Sequence, residues 1–160
     1  MTRPETIIRL LQEHFSDIIL ESTQGGLHPH AQIRPDGLIT VCRYLKNEPS
    51  LQFDLLRCIS TVDWPQKNGI ELSYDLMSIR LGHTFAVKLV LDRVRPEVES
   101  VSSLWPTADW HEREAFDLMG VLFLNHPDAS RILMPDDWVG HPLRKDYRDL
   151  MVYHGLKVKP

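Results

Sequence analysis

The spacing of apolar residues predicts a helix at the start of the chain. Ile7, Leu11 and Phe15 recur at helical intervals, with Ile8 and Leu10 beside them. Residues 2–5 suit a helix start, because they offer a threonine cap, a proline that needs no amide partner and an acid at the positive end of the helix dipole. We therefore expect a first helix over about residues 4–15.

Strands and a second helix are expected next. Residues 17–22 and 31–34 have strand character, and Pro35-Asp36-Gly37 is typical of a turn. The apolar residues between 38 and 41 suggest the return strand of a hairpin. The apolar residues between 51 and 59 have the spacing of a second helix that packs one face.

The clearest hairpin lies in the middle of the chain. Residues 71–81 and 84–91 flank Gly82-His83, and the second arm alternates apolar and less apolar positions. The resulting order of helix, hairpin, helix and hairpin favours an α+β fold, a two-layer sandwich with helices over one face of a mostly antiparallel or mixed sheet. A doubly wound parallel sheet is disfavoured, because consecutive strand pairs leave no room for crossover helices.

After Pro96 the pattern changes. One or two helical turns are expected over residues 98–104, and a third helix over residues 109–119. Asp109 and Glu112 have the spacing of a capping box, and Gly120 suits a left-handed helix end.

The last part of the chain is predicted to be an extended arm. Prolines recur there, at positions 127, 135, 142 and 160, and too few periodic residues remain for a long helix or a central strand. We therefore predict a domain over residues 1–124 and an extended partner-binding arm over residues 125–160.

Two faces of the third helix carry different side chains. Most of its charged residues share one face with Trp110, whereas Ala115, Phe116 and Met119 form the other. Glu112 falls on the apolar side, one turn before Phe116. A carboxylate there needs a partner to offset desolvation, and Arg131 is the candidate. The alternative is that Glu112 caps its own helix and stays hydrated.

The charged face of this helix has two interpretations. Arg113 and Asp117 stand four residues apart, a spacing typical of a solvated or structural charge cluster. A less favoured hypothesis is a small enzyme that uses Glu114, Asp117 and His126 as acid and base groups. Phosphate-binding, nucleophile-elbow and zinc-protease motifs are absent from the sequence. His28-Pro29-His30 could begin a metal site, but a polar loop is the favoured interpretation, since no third ligand is near.

Composition and charge narrow the classes of protein. The chain has 160 residues, 42% apolar and 25% charged, which suits one self-sufficient core. A net charge of −4 argues against a general binder of nucleic acid or anionic lipid.

Cys42 and Cys58 cannot supply the four thiolates that an iron–sulfur cluster usually needs, and reduced cysteines are expected. No secretory signal or membrane-spanning apolar run occurs, so membrane contact is expected only through a partner.

The arm has the composition of an interface. Trp138, Leu143 and Tyr147 stand near Arg131 and Arg144, and aromatic residues and arginine dominate binding energy at protein interfaces. Large apolar groups are unusual in a free tail. The alternative is that this stretch folds back on its own domain.

Three motifs carry a family resemblance. They are ADWHEREAFDLMG at residues 108–120, HP at 126–127 and RILMPDDWVGHPLRKDY at 131–147. In these the chain resembles the C subunit, also called the 30 kDa subunit, of proton-pumping NADH:quinone oxidoreductase (respiratory complex I, NDH-1). Ser130 is a departure, because the family often has a basic residue or proline there.

The resemblance implies a non-catalytic structural subunit of the hydrophilic arm of that complex. Such a protein packs on the quinone-site D subunit and on the cluster-bearing B and I subunits, on the cytoplasmic side of the membrane. It binds no metal or cofactor itself; FMN, iron–sulfur clusters and quinone belong to its partners. The runner-up is the equivalent component of a ferredoxin-driven photosynthetic NDH-1 complex or a membrane-bound hydrogenase. The expected contact residues are Trp110, Glu112, Arg113, Glu114, Asp117, His126, Arg131, Trp138, His141, Arg144, Lys145 and Tyr147.

Overall fold

The computed structural model describes residues 2–26 and 28–158. The last two positions of the predicted arm therefore lie outside the described residues. The first helix, α1, spans Pro4–Phe15 and buries Ile7, Ile8 and Leu11, as the periodicity predicts. Strands β1 (Ile19–Thr23) and β2 (His30–Ile33) follow as an antiparallel pair.

The segment after β2 is a helix and not the predicted return strand. Pro35–Gly37 forms a 3-10 turn that leads directly into α2, Leu38–Asn47. Leu38, Val41, Cys42 and Leu45 are buried, and their spacing of three and four residues is helical. The predicted strand is wrong because residues 38–41 are too short a stretch to distinguish a helical period from a strand period.

The predicted second helix is also wrong, because strand β3 spans Leu55–Trp64. A bulge between Leu56 and Cys58 interrupts its pairing with the next strand. One extra residue shifts the alternation of buried side chains, so the apolar positions imitate helical spacing. The predicted central hairpin is confirmed as β4, Gly69–Ser78, and β5, His83–Asp92.

The five strands form one mixed sheet in the order β1-β2-β5-β4-β3. Only the central β2–β5 pair is parallel, and the other neighbours are antiparallel. The α2 crossover therefore joins β2 to the far edge of the sheet. The expected α+β fold on a mostly antiparallel or mixed sheet is confirmed.

The third helix connects the two strands of a small parallel pair. Strand β6, Glu97–Glu99, pairs with β7, Leu122–Leu124, and α3, Ala108–Met119, lies between them in sequence. One or two helical turns were expected over residues 98–104, but this stretch begins with the end of β6. A turn follows, in which the Leu104 N–H donates to Val101 O. No helix in residues 2–26 and 28–158 has the length and apolar character needed to cross a membrane.

The core lies between the helices and one face of the sheet. Its largest fully buried side chains are Trp105, Tyr74 and Phe53. The Trp105 indole N–H donates to Phe53 O at 2.9 Å, which satisfies its polar atom and ties the segment before α3 to the segment before β3. After β7 the described chain is irregular, with turns such as those closed by Trp138 N–H donating to Pro135 O and Arg144 N–H donating to His141 O. Its regular elements are the short strands β8 (Val152–Tyr153) and β9 (Leu156–Lys157).

Candidate partner-binding surface

Glu112 lies in the interior, on the side of α3 that faces the segment after β6. Its side chain is fully buried. Ser100 Oγ contacts Oε2 at 2.5 Å, and the Val101 backbone N–H donates to Oε1 at 2.7 Å. Both interpretations of Glu112 from the sequence are therefore wrong. Glu112 neither caps α3 nor pairs with Arg131, because Ser100 and Val101, in the segment after β6, bind its carboxyl oxygens.

His126 completes this polar pocket. Its side chain is 2% exposed, and Nε2 lies 3.6 Å from Glu112 Oε2 and 3.3 Å from Asp109 O. The Asp128 backbone N–H donates to Nδ1 at 3.0 Å, so the hydrogen-bond network assigns the ring proton to Nε2. His126 thus supports the buried carboxyl group from the segment that follows β7.

Burial dominates the electrostatics of Glu112. Desolvation raises the pKa of its carboxyl group from 4.5 to about 7, against the lowering effect of the hydrogen bonds from Ser100 and Val101. The nearby Asp109 carboxylate adds to the rise.

Asp117, at the other end of α3, anchors the arm. Its side chain is fully buried, and Oδ1 accepts a hydrogen bond from Arg131 Nη1 at 2.6 Å. Oδ2 accepts the backbone N–H groups of residues 132, 133 and 134 at 3.1, 2.8 and 2.8 Å. Consecutive amides turned onto one oxygen form an anion-binding concavity. Arg131 therefore partners Asp117 and not Glu112.

These hydrogen-bond donors outweigh the effect of burial on the pKa of Asp117. Desolvation is the largest influence and raises the pKa of Asp117, but the three amides and Arg131 together hold that pKa below its ordinary value. Asp117 is thus a buried, fully hydrogen-bonded group whose partner is Arg131, and not the Arg113 expected from the four-residue spacing. Domain and arm share a buried ion pair across the boundary predicted after residue 124.

The Arg131 guanidinium also orders the arm itself. Its Nη2 donates to Trp138 O at 2.9 Å and to Gly140 O at 3.2 Å. The Trp138 ring lies 5.1 Å from the Tyr153 ring, so the same loop is held from both sides.

Two glycines permit close packing of the arm against α3. Gly120 has φ +72°, which ends α3 in the left-handed conformation, as predicted. A Cβ there would lie 2.6 Å from the His141 ring, whose Nδ1 is 3.0 Å from Asp117 O. Gly140, with φ +86°, has the Tyr147 ring at 3.0 Å from where a Cβ would be. His141 and Tyr147 thus occupy spaces that only glycine leaves open.

A second anchor joins the arm to the main sheet. Arg144 donates to Met119 O at 2.8 Å and to Arg93 O at 3.2 Å. The Lys145 backbone N–H donates to Asp63 Oδ2 at 2.8 Å, so Lys145 acts here through its main chain. Asp63 is also paired with Arg93, 2.7 Å away, and Arg93 reaches Asp146 at the same distance.

Three predicted residues stand apart from these anchors. Trp110 is 62% exposed, with the Arg113 guanidinium 5.6 Å from its ring. Arg113 donates to Ser130 and pairs with Asp128, and not with Asp117. Glu114 is exposed. Trp110 and Glu114 are therefore open to a partner, whereas Arg113 is 17% exposed and is bound to the arm.

Apolar side chains of the arm point outward. Leu133, Val139 and Leu143 are 61%, 68% and 58% exposed, although the backbone around them is held by the two anchors. Together with Trp110 these residues are called here the outward apolar set. A fixed segment with exposed apolar groups is typical of a binding surface.

The remaining candidates do not join this surface. His30 Nδ1 lies 3.0 Å from His28 O, and the described residues contain no group of three His, Cys, Asp or Glu side chains able to hold a metal ion. Cys42 is buried and Cys58 is half-buried.

The second anchor includes residues that the sequence analysis missed. Asp63 occupies an inward position of β3, where Ile59 is buried and Val62 and Trp64 are exposed. An acid at an inward strand position requires a partner and would have been a signal. The helical interpretation of residues 51–59 obscured it. Ser100 and Arg93 carried no such signal, because their roles depend on long-range packing.

Comparison with known sequences identifies related proteins. Residues 31–150 match the family model for the respiratory-chain NADH dehydrogenase 30 kDa subunit. The NADH-quinone oxidoreductase C subunit of Moorella thermoacetica is 45% identical, covering 90% of this chain and 95% of its own length. The C subunit of Chlorobium phaeobacteroides is 39% identical, with 93% and 91% covered. That of Chloroherpeton thalassium is 38% identical over 96% of this chain, which spans 65% of that relative.

Solved structures show the same fold. A chain of the membrane-bound sulfane sulfur reductase, an archaeal respiratory membrane complex, aligns with a TM-score of 0.77 and 26% identity over 91% of this chain and 86% of that one. A trypsin-resistant fragment of Nqo5 aligns with a TM-score of 0.58 and 24% identity, covering 76% of this chain and 98% of the fragment.

Proposed function

The chain belongs to the respiratory-chain NADH dehydrogenase 30 kDa subunit family, and on this premise we propose that it is a non-catalytic structural subunit of NADH-quinone oxidoreductase. That proton-pumping complex passes electrons from NADH through FMN and iron–sulfur clusters to quinone. In this proposal the cofactors bind to partner subunits, and the isolated chain has no turnover of its own.

One observation carries the proposal: the arm is held rigidly while its apolar side chains face outward. Asp117 and Asp63 are fully buried acceptors that fix the arm backbone at residues 132–134 and at Lys145. A surface ordered before binding loses less entropy when a partner docks, so more of the apolar contact energy remains for affinity.

The outward apolar set is the proposed docking site for the other subunits of the hydrophilic arm. We assign the quinone-site D subunit as the main partner, with the cluster-bearing B and I subunits beside it. The contribution of this chain is then to hold those subunits at constant separation, which electron transfer between clusters requires. The chain meets the membrane only through the complex, on its cytoplasmic side.

A second candidate rests on the structural similarity to the sulfane sulfur reductase chain. A shared fold serves respiratory membrane complexes with different chemistry. The chain would then be the equivalent component of a ferredoxin-driven NDH-1 complex or of a membrane-bound hydrogenase.

The test is to purify the tagged full-length chain from membranes of its own host. Copurification of quinone-site and cluster-bearing subunits together with FMN and NADH oxidation supports the first proposal. Copurification of those subunits without the NADH-oxidising module supports the second. Recovery of the chain without such subunits contradicts both.

The docking surface is tested in the same experiment by the double variant L133E/L143E. We expect at least a tenfold loss of copurified subunits, because two charges would be buried at the interface without partners. The matched control is Ile79→Glu in the β4–β5 turn, which is 64% exposed and outside the arm. Equal loss for both variants would mean that the arm is not the docking surface.

A further inference from the structure

The pocket around Glu112 contains hydroxyl groups in place of a cation. Ser100 Oγ lies 2.5 Å from Glu112 Oε2 and 2.7 Å from Ser102 Oγ. Within the part of the chain that the structure describes, no lysine or arginine forms an ion pair with Glu112. Arg113 lines the same small cavity but is engaged by Ser130 and Asp128.

The two serines can serve either form of the carboxyl group. When Glu112 is ionised, Ser102 donates to Ser100 and Ser100 donates to Glu112. When Glu112 is protonated, it donates to Ser100 and Ser100 donates to Ser102. Hydroxyl groups rotate freely between donor and acceptor roles, so reversal leaves no polar atom of the chain without a partner. Ser102 is partly exposed, and the chain of hydroxyls therefore connects the buried carboxyl group to the surface.

The neighbouring titratable groups do not supply a compensating charge. Burial raises the pKa of the Cys42 thiol on α2 and of the Tyr74 phenol on β4, so both are neutral near pH 7. Asp109 on α3 is a like charge. His126 accepts the Asp128 amide at Nδ1 and lies 3.6 Å from Glu112 Oε2. Glu112 is thus the group in this pocket best placed to take up a proton.

We infer that Glu112, Ser100 and Ser102 form a proton-binding site through which the packing of α3 against the segment after β6 responds to pH near neutrality. This inference concerns the chain itself and holds whether or not the proposed function does. Its occupant is a proton delivered along the two hydroxyls.

The direction of the effect follows from linkage. The folded-state pKa, about 7, lies above the ordinary value of 4.5, so the native state binds the proton more tightly than the unfolded state. The stabilisation is complete below about pH 4.5 and is lost as the pH rises through 7. For one such group, the unfolding equilibrium constant rises about tenfold between pH 6 and pH 8.

The experiment is urea unfolding of the full-length chain at several pH values, for wild type and Glu112→Gln. Glutamine reproduces the protonated form, since its amide can donate to Ser100 and accept from Val101. In the wild type we expect the unfolding equilibrium constant to rise about tenfold between pH 6 and pH 8, beyond any pH dependence that other groups cause. In Glu112→Gln this additional rise should be missing. Equal slopes in the two proteins would overturn the inference.

A second measurement does not require the variant to fold. Side-chain carboxyl carbons of ¹³C-labelled glutamate in the wild-type chain should include one that titrates near pH 7. Asp109→Asn should lower this midpoint by removing a like charge, and Glu114→Gln, the exposed control on α3, should leave it unchanged. If every glutamate titrates below pH 6, the inference is wrong.

Discussion

The two buried carboxyl groups of α3 show how surroundings decide the behaviour of one chemical group. Glu112 and Asp117 are both fully buried on one helix. Asp117 receives a guanidinium and three amides, and its pKa is lowered; Glu112 receives a hydroxyl and one amide, and its pKa is raised to about 7. Burial acts in the same direction on both. The number and charge of the donors decide the outcome.

The two sites also have different structural roles. Glu112 joins α3 to the segment after β6, within the predicted domain. Asp117 joins α3 to the arm that carries the outward apolar set. Acid should therefore weaken the arm anchor, whereas rising pH should weaken the packing around Glu112.

The largest effect is expected when Asp117 is removed. In Asp117→Ala, Arg131 is left half-buried without its carboxylate and three amides lose their acceptor. We expect a loss of about 3 to 5 kcal/mol in the free energy of unfolding, measured with urea at pH 7. Because the pKa of Asp117 is lowered, its contribution is present above pH 3.8 and lost as the pH falls through the folded-state value.

The control for that variant is Glu114→Ala, an exposed carboxylate of the same helix. It should change the free energy of unfolding by less than about 0.5 kcal/mol. A loss for Asp117→Ala as small as this control would show that the arm anchor is unimportant for stability.

An intermediate effect is expected for Arg131→Ala, because Asp117 keeps its three amide donors. The loss should be about 2 kcal/mol, in the range for hydrogen bonds to charged groups. Double-mutant cycles identify the partner: Arg131 and Asp117 should couple by about 0.5 to 3 kcal/mol, and Arg131 with Glu112 should be additive within about 0.5 kcal/mol. Coupling to Glu112 instead would restore the pairing expected from the sequence.

The smallest effect is expected for Asp128→Asn. Asp128 pairs with Arg113 at 3.4 Å, and its side chain is 54% exposed. Exposed ion pairs contribute little, so the free energy of unfolding should fall by less than in Arg131→Ala, and 1 M salt should remove the difference. A larger, salt-independent loss would place Asp128 among the buried anchors.

Local patterns predicted some elements well. The α1 helix and the β4–β5 hairpin have periodic burial and clear boundary residues, and both are confirmed. Residues 38–59 were misassigned because a bulge in β3 disturbed the alternation and the start of α2 was too short to show its period. In both failures the ambiguity lay in short apolar runs, where neighbouring elements decide between helix and strand.

The sequence by itself determined the α+β class, the end of α3 at Gly120 and, through its motifs, the family. It also indicated that Glu112, on the apolar face of α3, needs a partner, and it gave Asp117 and Arg131 as candidate contact residues. Only the tertiary structure decided which carboxylate meets the arginine. Ser100 and Val101 contact Glu112 from the segment after β6, and Arg131 contacts Asp117 as the arm folds back. These pairings depend on which distant segments pack against each end of the helix. The spacing of side chains along one helix does not predict that packing.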